Sequence, residues 1–318
     1  MRFERVLKGC CFNILGNLPR PCGISFFVLV QNFPVLAPAC AVDCHCYENG
    51  YGKDRKKLES QARLVLLGTG TGVPDVDRGH THLVWDGPGG PFLVDTGGDT
   101  YQRLLKANID PQTLAGVLLT HSHCDHINGL PALLFSLWLA GRREMTLPIY
   151  GLLPTLDVTR RLINGAYLEK VCAPVEWREI TPGDTLTLGE AEKENEVWQM
   201  QTFSTRHSRP CVGLRWTNEK TGKVFAYSCD TAPCPEVDKG AQNADVLIHE
   251  ATTPGAFDSH TSPREAGETA QRAGAKRLIL VHYSPRWTMP ESDALAEVHA
   301  GGFTGSAEIG CDGQVIFA

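Results

Sequence analysis

A short run of metal-ligand side chains directly follows a predicted buried strand. Residues 114–119 (LAGVLL) are apolar, and residues 120–126 (THSHCDH) place three histidines and one aspartate within six positions. Alternate residues of an extended or loop backbone point the same way, so His121 and His123 can face one point while Asp125 and His126 face a second. Imidazole and carboxylate groups suit zinc, manganese or iron in a hydrolytic site. The run therefore predicts two metal ions held side by side.

Other predicted strands also end at ligand-type or acidic residues. Apolar stretches at 91–94, 197–203, 223–229, 245–248 and 277–281 predict strands. The residues that follow them include Asp95, His207, Asp230, His249 with Glu250, and His282. A sheet whose strands end in this way presents a site along one edge, on loops held by rigid strands. The order of strands and helices indicates an α/β fold of two mixed sheets packed face to face, with helices outside.

The motifs resemble those of a known family. The pattern His-x-His-x-Asp-His at 121–126 resembles the signature of the metallo-β-lactamase superfamily. The sequence HEAT at 249–252, HTS at 260–262, EAG at 265–267 and the stretch 278–284 are similar to the ribonuclease Z branch of that superfamily. The resemblance covers residues 63–318 and implies a four-layer αββα metallo-β-lactamase-like sandwich.

The resemblance implies a metal role for each matching residue. One zinc ion is expected on His121, His123 and His207, and a second on Asp125, His126 and His282. Asp230 is expected to bridge the two ions. The same ligand types also accept Mn²⁺ or Fe²⁺. Asp95 resembles the family's first motif, whose carboxylate braces the histidine loop without binding metal, and such bracing fixes ligand orientation.

Catalytic roles also follow from the resemblance. It implies that Asp125 takes part as general base, that His260 protonates or stabilises the leaving oxygen, and that Glu250 orients His260. Two divalent cations about 3.5–4 Å apart lower the pKa of a shared water and so supply a metal-bound hydroxide at physiological pH. A phosphodiester uses the whole arrangement, because its departing alkoxide needs a proton from a group such as His260. We therefore predict a binuclear zinc-dependent hydrolase of a phosphodiester, resembling ribonuclease Z.

Two departures from the family pattern bear on a transfer-RNA substrate. Ribonuclease Z enzymes usually carry a long glycine- and proline-rich arm between the third-motif histidine and the bridging aspartate, whereas here residues 208–229 leave room for two strands and a turn. The loop at 74–79 (PDVDRG) has Val76 where the family has lysine, and Asp75 and Asp77 would repel a phosphate backbone. Precursor transfer RNA thus competes with a smaller phosphodiester, an aryl sulfate or a carboxylic ester as the predicted substrate.

Two further function classes stay open beside the hydrolase. A non-catalytic binding protein on the same fold is disfavoured, because a relative that lost activity would be expected to lose ligands and none is lost here. An oxidoreductase with iron on the same ligands is disfavoured because no flavin-binding partner domain is recognised in this sequence.

Composition gives weaker constraints. The 318 residues carry a net charge of −6, so any nucleic-acid contact would need a local basic patch. Six of the twelve cysteines fall in the first 46 residues, and the others are scattered as reduced cysteines are in a cytosolic enzyme. Together with the absence of any run of eighteen apolar residues, this predicts a cytoplasmic protein without a membrane partner.

The chain is predicted to divide into two parts of unequal character. Residues 1–61 are interpreted as a poorly structured N-terminal leader, with an export signal in the first 41 residues left open. Residues 62–318 are interpreted as a single hydrolase domain. The predicted helix that follows Gly129 is apolar nearly all round, so it belongs in the core, or else its spare face makes a homodimer or lines the substrate groove.

Overall fold

The computed structural model describes residues 62–189 and 197–317. The predicted leader at 1–61 lies outside the described residues. Among the described residues, no helix has the length and apolar character needed to cross a membrane.

The first sheet has seven strands. In spatial order they are β14 (Val315–Phe317), β1 (Arg63–Gly68), β2 (His82–Asp86), β3 (Phe92–Val94), β4 (Gly116–Leu119), β5 (Leu147–Gly151) and β6 (Val175–Glu179). The strands β3 to β6 run parallel, while β14, β1, β2 and β3 pair antiparallel. The carboxyl ends of β3 and β4 therefore lie at the same edge.

The second sheet has the same plan. Its spatial order is β13 (Ser306–Ile309), β12 (Arg277–Val281), β11 (Val246–Glu250), β10 (Val224–Tyr227), β9 (Val212–Thr217), β8 (Trp198–Ser204) and β7 (Thr185–Leu188). Here β10 to β13 run parallel, and β7 to β10 pair antiparallel. The end of β10 and the ends of β11 and β12 are thus brought side by side.

Helices follow the strands of both sheets. They are α1 (Thr100–Lys106), a 3₁₀ turn at Pro111–Thr113, α2 (Cys124–Ile127), α3 (Leu130–Leu139), α4 (Leu153–Gly165), α5 (Pro235–Gly240), α6 (Pro263–Ala273) and α7 (Glu291–Ala300). Helix α6 begins with a capping box, in which Ser262 and Glu265 satisfy each other's backbone N–H groups. It ends at Gly274 in the left-handed conformation that glycine adopts without strain.

These elements form four layers, and three apolar clusters lie between the layers. The central cluster draws residues from both sheets, and in it the ring of Trp85 lies 4.7 Å from that of Trp198 and 6.4 Å from that of Trp216. A second cluster packs α1, α3 and α4 on the first sheet, and a third packs α6 and α7 on the second. Burying one large apolar side chain of this kind stabilises the fold by about 1.5–3 kcal/mol. The predicted αββα sandwich is confirmed.

Three of the six non-glycine residues with positive φ in the described ranges lie just after strands that lead into the site. Asp95, Cys229 and His282 have φ values of 62°, 52° and 48°, in the left-handed region that non-glycine residues seldom adopt. Asp95 follows β3, Cys229 precedes Asp230 after β10, and His282 follows β12. Such conformations cost of order 1–3 kcal/mol each and cluster at functional sites. The three turns aim side chains at one shared edge of the sandwich.

Candidate metal-dependent active site

A buried carboxylate fixes the start of the histidine loop. The Thr120 N–H and hydroxyl each donate to the carboxylate of Asp95 at 2.8 Å. Nδ1 of His126 lies 2.7 Å from Oδ2 of Asp95, so its N–H donates there and Nε2 faces the site. Nδ1 of His121 lies 3.1 Å from the Thr120 hydroxyl oxygen. Asp95 therefore orients the loop from outside the donor groups, as its motif predicted.

The first predicted metal group is assembled in space. His121, His123, His207 and Asp230 each bring one ligand atom into a cluster in which all four lie within 4.8 Å of one another. Nδ1 of His123 lies 3.1 Å from Nε2 of His121 and 3.0 Å from Nε2 of His207. These residues come from loops after β4, β8 and β10, and the fold alone brings them together.

The second predicted group lies beside the first. Asp125, His126 and His282 form it, and Nε2 of His282 lies 3.3 Å from Oδ2 of Asp125. Nε2 of His126 is 3.6 Å from the same oxygen. Oδ2 of Asp230 lies 3.5 Å from His126, 3.6 Å from His282 and 3.8 Å from His121. The Asp230 carboxylate thus stands between the two groups, where a bridging ligand would be.

The separations between the donor atoms suit coordination of divalent cations better than direct hydrogen bonds between the side chains. Ligand atoms at 2.0–2.2 Å around a tetrahedral ion lie roughly 3.3–3.6 Å apart, and the separations in both groups bracket that range. Among the described residues, Nε2 of His126 and Oδ1 of Asp230 are buried without a hydrogen-bond partner. Buried polar atoms without partners are costly. A cation at each group would satisfy these atoms.

Electrostatics keeps several donors in the form that binds metal. Burial lowers the pKa of His121 well below its usual value, helped by the nearby His126. Burial alone would raise the pKa of Asp230, but His282 and His126 hold it well below the usual range. Burial opposes protonation of His126, yet Asp230 and Asp95 raise its pKa well above normal. A cation at the second group would take the place of that proton.

Two outer contacts orient further ligands, and the sequence did not reveal them. The Nδ1–H of His207 donates to the backbone carbonyl of Ser259 at 2.7 Å. The Nδ1–H of His282 donates to the Thr252 hydroxyl at 2.7 Å, and that hydroxyl donates to Glu250 at 2.5 Å. Ser259 acts through its backbone and leaves no signal in the sequence, whereas Thr252 stands inside the HEAT motif. Such partners fix the imidazole tautomer.

The predicted acid and its orienting carboxylate are in contact. Nδ1 of His260 lies 3.0 Å from Oε1 and 3.2 Å from Oε2 of the buried Glu250. Burial opposes protonation of His260, but the hydrogen bond and charge of Glu250 raise its pKa above the usual value. The His260 ring centroid lies 5.0 Å from that of His207 and 5.6 Å from that of His282. The His260 imidazole, which Glu250 holds toward its protonated form, therefore lies beside both predicted metal groups, and its ligand atom also lies close to those of Asp230 and His282.

His249, a ligand-type residue near the end of a strand, does not contribute to the site. His249 is fully buried on β11, and its Nδ1 lies 2.8 Å from the carbonyl oxygen of Glu250. It belongs to none of the metal-capable groups among the described residues. The side chains of a strand alternate between its two faces, so His249 points away from the site while Glu250 points into it.

Comparisons with known proteins identify the family of this chain. The family model of the beta-lactamase superfamily domain matches residues 91–283. The chain is 29% identical to the ribonuclease Z of Methanothermobacter thermautotrophicus over 273 residues, which cover 72% of this chain and 88% of that protein. The structure of human tRNase Z, short form, superposes with a TM-score of 0.60 at 26% identity and covers 80% of this chain and 98% of that one.

A further structure matches in fold. The metallo-beta-lactamase fold protein YhfI from Bacillus subtilis superposes with a TM-score of 0.67 at 22% identity, covering 81% of this chain and all of that one. The predicted resemblance to the superfamily and its ribonuclease Z-like branch is confirmed, as is the prediction of a metal-dependent hydrolase. Because the family model spans more than half of the chain, this protein belongs to the beta-lactamase superfamily domain family.

Proposed function

We propose that the protein is a binuclear zinc-dependent phosphodiesterase that removes the 3′ trailer of precursor transfer RNA. The observation that carries the proposal is the His260–Glu250 pair, which adjoins the predicted ligands Asp230 and His282 of the two metal groups. An ester with a good leaving group has little use for a protonated imidazole. The ribose alkoxide that leaves in RNA cleavage needs one. The relatives named ribonuclease Z and tRNase Z support the same assignment.

The metal-capable groups divide the ligands between two ions. His121, His123 and His207 would hold one ion, while Asp125, His126 and His282 would hold the other, with Asp230 reaching both. A donor set of imidazole nitrogens and carboxylate oxygens favours zinc, and Mn²⁺ and Fe²⁺ bind the same donors. When bound, the pair of cations lowers the pKa of a water and neutralises charge on a phosphoryl oxygen.

Asp125 positions the attacking water. Burial disfavours its charged form, but the hydrogen bond from His282 and the charge of His126 hold its pKa below the usual range. It is therefore ionised at neutral pH and accepts a hydrogen bond from the water. A Cβ at Gly72 would lie 3.4 Å from Oδ2 of Asp125, an ordinary van der Waals distance, so the glycine loop borders this carboxylate.

His260 supplies the proton for the departing oxygen. Glu250 holds Nδ1–H by a hydrogen bond at 3.0 Å, and this leaves the proton on Nε2 to be donated. Glu250 also accepts from the Thr231 N–H at 2.6 Å, so its own position is fixed by the backbone after Asp230. The acid is thus tied to the same loop that carries the bridging ligand.

The rim of the site has groups that suit an RNA strand. Arg206 and Arg209 flank His207, are exposed, and have no acidic partner among the described residues. Phe257 is 59% exposed and stacks on His260 with ring centroids 6.2 Å apart. Cations bind phosphates, and exposed aromatic rings stack with unpaired bases. A local basic and aromatic rim therefore exists on a chain whose net charge is negative.

The loop at 74–79 repels phosphate less than its sequence indicates. The carboxylate of Asp75 accepts from the Ser284 hydroxyl at 2.5 Å and faces Arg286 at 3.9 Å, so only Asp77 is exposed. Arg78 pairs with Glu291 at 2.6 Å. This arginine holds the loop in place and is not free for substrate.

A small phosphodiester is the second candidate substrate. The interval between His207 and Asp230 contains only β9, β10 and short connections, so the usual arm is absent from this interval. Without the arm, the affinity for folded transfer RNA must come from the rim and the site itself.

One experiment separates these candidates. The zinc-loaded protein is incubated with precursor transfer RNA carrying a 3′ trailer, and with bis(p-nitrophenyl) phosphate, an aryl sulfate and a carboxylic ester. We expect cleavage at the trailer junction, with loss of all activity in His123→Ala and Asp230→Ala. Turnover of bis(p-nitrophenyl) phosphate with an intact precursor would favour the small substrate. No turnover of any of them by the metal-loaded protein would contradict the proposal.

We also propose that residues 62–318 form the catalytic domain and that it pairs with a second copy. Helix α3 buries Leu130, Leu133, Leu134 and Leu137, yet leaves Phe135 38% and Leu139 57% exposed. Leu105 of α1 is 52% exposed. Exposed apolar side chains on contacting helices suit an interface between copies. Phe135→Glu is expected to shift a dimer to monomer in sedimentation velocity.

A further inference from the structure

A cavity lies on the outer face of the first sheet, among α3, α4 and β6. Its volume is about 520 Å³, within the usual size of small-molecule sites. The side chains that line it include two tryptophans, Trp138 of α3 and Trp177 of β6. Three cations, Arg143, Arg160 and Lys170, also line it. The proposed function uses none of these residues.

The cavity is remote from the metal groups. Pro174 and Val175, which line it, stand at the amino-terminal end of β6. Strands β4, β5 and β6 run parallel, and His121 follows the carboxyl end of β4. The cavity and the metal groups therefore lie at opposite ends of these strands, and a ligand in one does not touch the other.

Each tryptophan carries an arginine over its ring. The guanidinium carbon of Arg143 lies 4.9 Å from the ring centroid of Trp138, and that of Arg160 lies 5.0 Å from that of Trp177. Both indoles are half-buried, so part of each ring stays open. An indole ring with a guanidinium over it offers a flat surface for a base, and the guanidinium supplies donors for an oxyanion.

The charges of the cavity are unbalanced. Arg143 and Lys170 have no carboxylate partner among the described residues, and Arg160 pairs with Asp157 at 3.1 Å. Both members of that pair are about half exposed, so the pair is weak. Glu169 is the one acid in the lining. On a chain with a net charge of −6, this cavity is a local site of positive charge.

We propose that this cavity binds a nucleotide. The base stacks against the indole and guanidinium planes of Trp177 and Arg160 or of Trp138 and Arg143, and the phosphate pairs with Arg143 and Lys170. Flat aromatic groups alone would bind an uncharged ring, and cations alone would bind phosphate. The combination within one cavity favours a ligand that has both parts. The nucleotide is either free or part of an RNA strand.

Calorimetric titration of the full-length protein tests the site. The probes are AMP, ribose 5-phosphate and inorganic phosphate, and His123→Ala serves as the background that disables the metal groups. We expect AMP to bind in this background and to bind about tenfold more weakly after Arg143→Ala or Lys170→Ala. Trp177→Leu is expected to weaken the binding of AMP by a similar factor and to leave the binding of inorganic phosphate unchanged. Unchanged phosphate binding also shows that the variant is folded.

Two matched variants sharpen the test. Arg161→Ala removes an exposed cation of α4 that does not line the cavity, and it is expected to change nothing. Glu169→Gln removes the one acid of the lining and is expected to strengthen AMP binding. If AMP binding is lost in His123→Ala, or is unchanged in both Arg143→Ala and Trp177→Leu, the proposal is wrong.

The source of the nucleotide is decided by kinetics. If the site holds part of an RNA strand, Arg143→Ala raises KM for a trailer-bearing RNA and leaves turnover of bis(p-nitrophenyl) phosphate unchanged. If it holds a free nucleotide, Arg143→Ala weakens AMP binding and leaves KM for RNA unchanged. Both results support the site. The proposal is overturned if Arg143→Ala changes neither KM for RNA nor the affinity for AMP.

Discussion

Nδ1 of His260 lies 3.0 Å from Oε1 of Glu250, a carboxylate with no exposed surface at the end of β11. The same carboxylate receives the Thr231 N–H and the Thr252 hydroxyl. Thr231 adjoins the proposed bridging ligand Asp230, and Thr252 holds His282. One buried carboxylate therefore connects the proposed acid to the loops that carry ligands of both metal groups.

This contact predicts the pH profile. Although burial acts in the opposite direction, Glu250 raises the pKa of His260, so the protonated acid persists to higher pH than a free histidine would. Activity that needs this proton is present below the raised pKa and falls as pH rises through it. Glu250→Gln removes the charge, and we expect the alkaline limb of kcat/KM to move to lower pH. Glu268→Gln, at a half-exposed carboxylate of α6, is the control and should leave the limb in place. An unmoved limb in Glu250→Gln would contradict the proton-donating role.

The second prediction concerns the leaving group. His260→Ala should lower kcat by about 10²–10⁴-fold on RNA, the usual contribution of a positioned general acid. On bis(p-nitrophenyl) phosphate the loss should be much smaller, because p-nitrophenolate leaves without a proton. Steady-state kinetics with both substrates checks this. Equal losses on both substrates would mean that His260 acts on the metal groups and not on the leaving oxygen.

Much of the site was predictable because its motifs are local. The run from His121 to His126 sits on one loop, and its pattern gave the ligand types directly. The fold class followed from the order of strands and helices, and the four-layer arrangement followed from the family resemblance. The strand ends indicated the edge of the sheets at which the site lies. His207 and His282 were placed by resemblance, and the structure brings both to the cluster.

The contacts that were not predictable depend on tertiary structure. Ser259 holds His207 through a backbone carbonyl, which any residue could supply. The inward turn of Asp75 toward Ser284 joins residues 209 positions apart, so the loop sequence alone indicated two exposed acids where one is found. The cavity between Trp138 and Trp177 likewise arises from the packing of two helices and a strand.

Asp95 gives a prediction about metal affinity. Its carboxylate holds His126 and Thr120, and outer contacts of this kind typically contribute 10–100-fold to metal affinity. Asp95→Asn is expected to weaken zinc binding by about that factor, measured by competition with a chromophoric chelator. Asp157→Asn, at a half-exposed position of α4, should bind zinc normally. Normal affinity in Asp95→Asn would show that the brace is not needed for binding.

Phe257 gives a prediction about substrate. Its exposed ring stacks on His260, beside the proposed point of cleavage, and stacking on a base contributes about 1–3 kcal/mol. Phe257→Ala should raise KM for trailer-bearing RNA about fivefold or more and leave bis(p-nitrophenyl) phosphate unchanged. An RNA with an abasic residue beside the scissile phosphate should be cleaved equally by both proteins. Equal losses on intact and abasic RNA would exclude stacking.

Metal removal should lower the stability of the fold. Without cations, the buried atoms Nε2 of His126 and Oδ1 of Asp230 have no hydrogen-bond partner, and six imidazoles are crowded at one edge. A ligand that binds only the folded state adds about 2.7 kcal/mol when it is present at 100 times its Kd. We expect a chelator to lower Tm and zinc to restore it, as followed by calorimetry. Asp230→Ala should show little change in Tm on adding zinc, because it lacks the ligand that both groups share. A full zinc-dependent rise in that variant would place the bridging role on another residue.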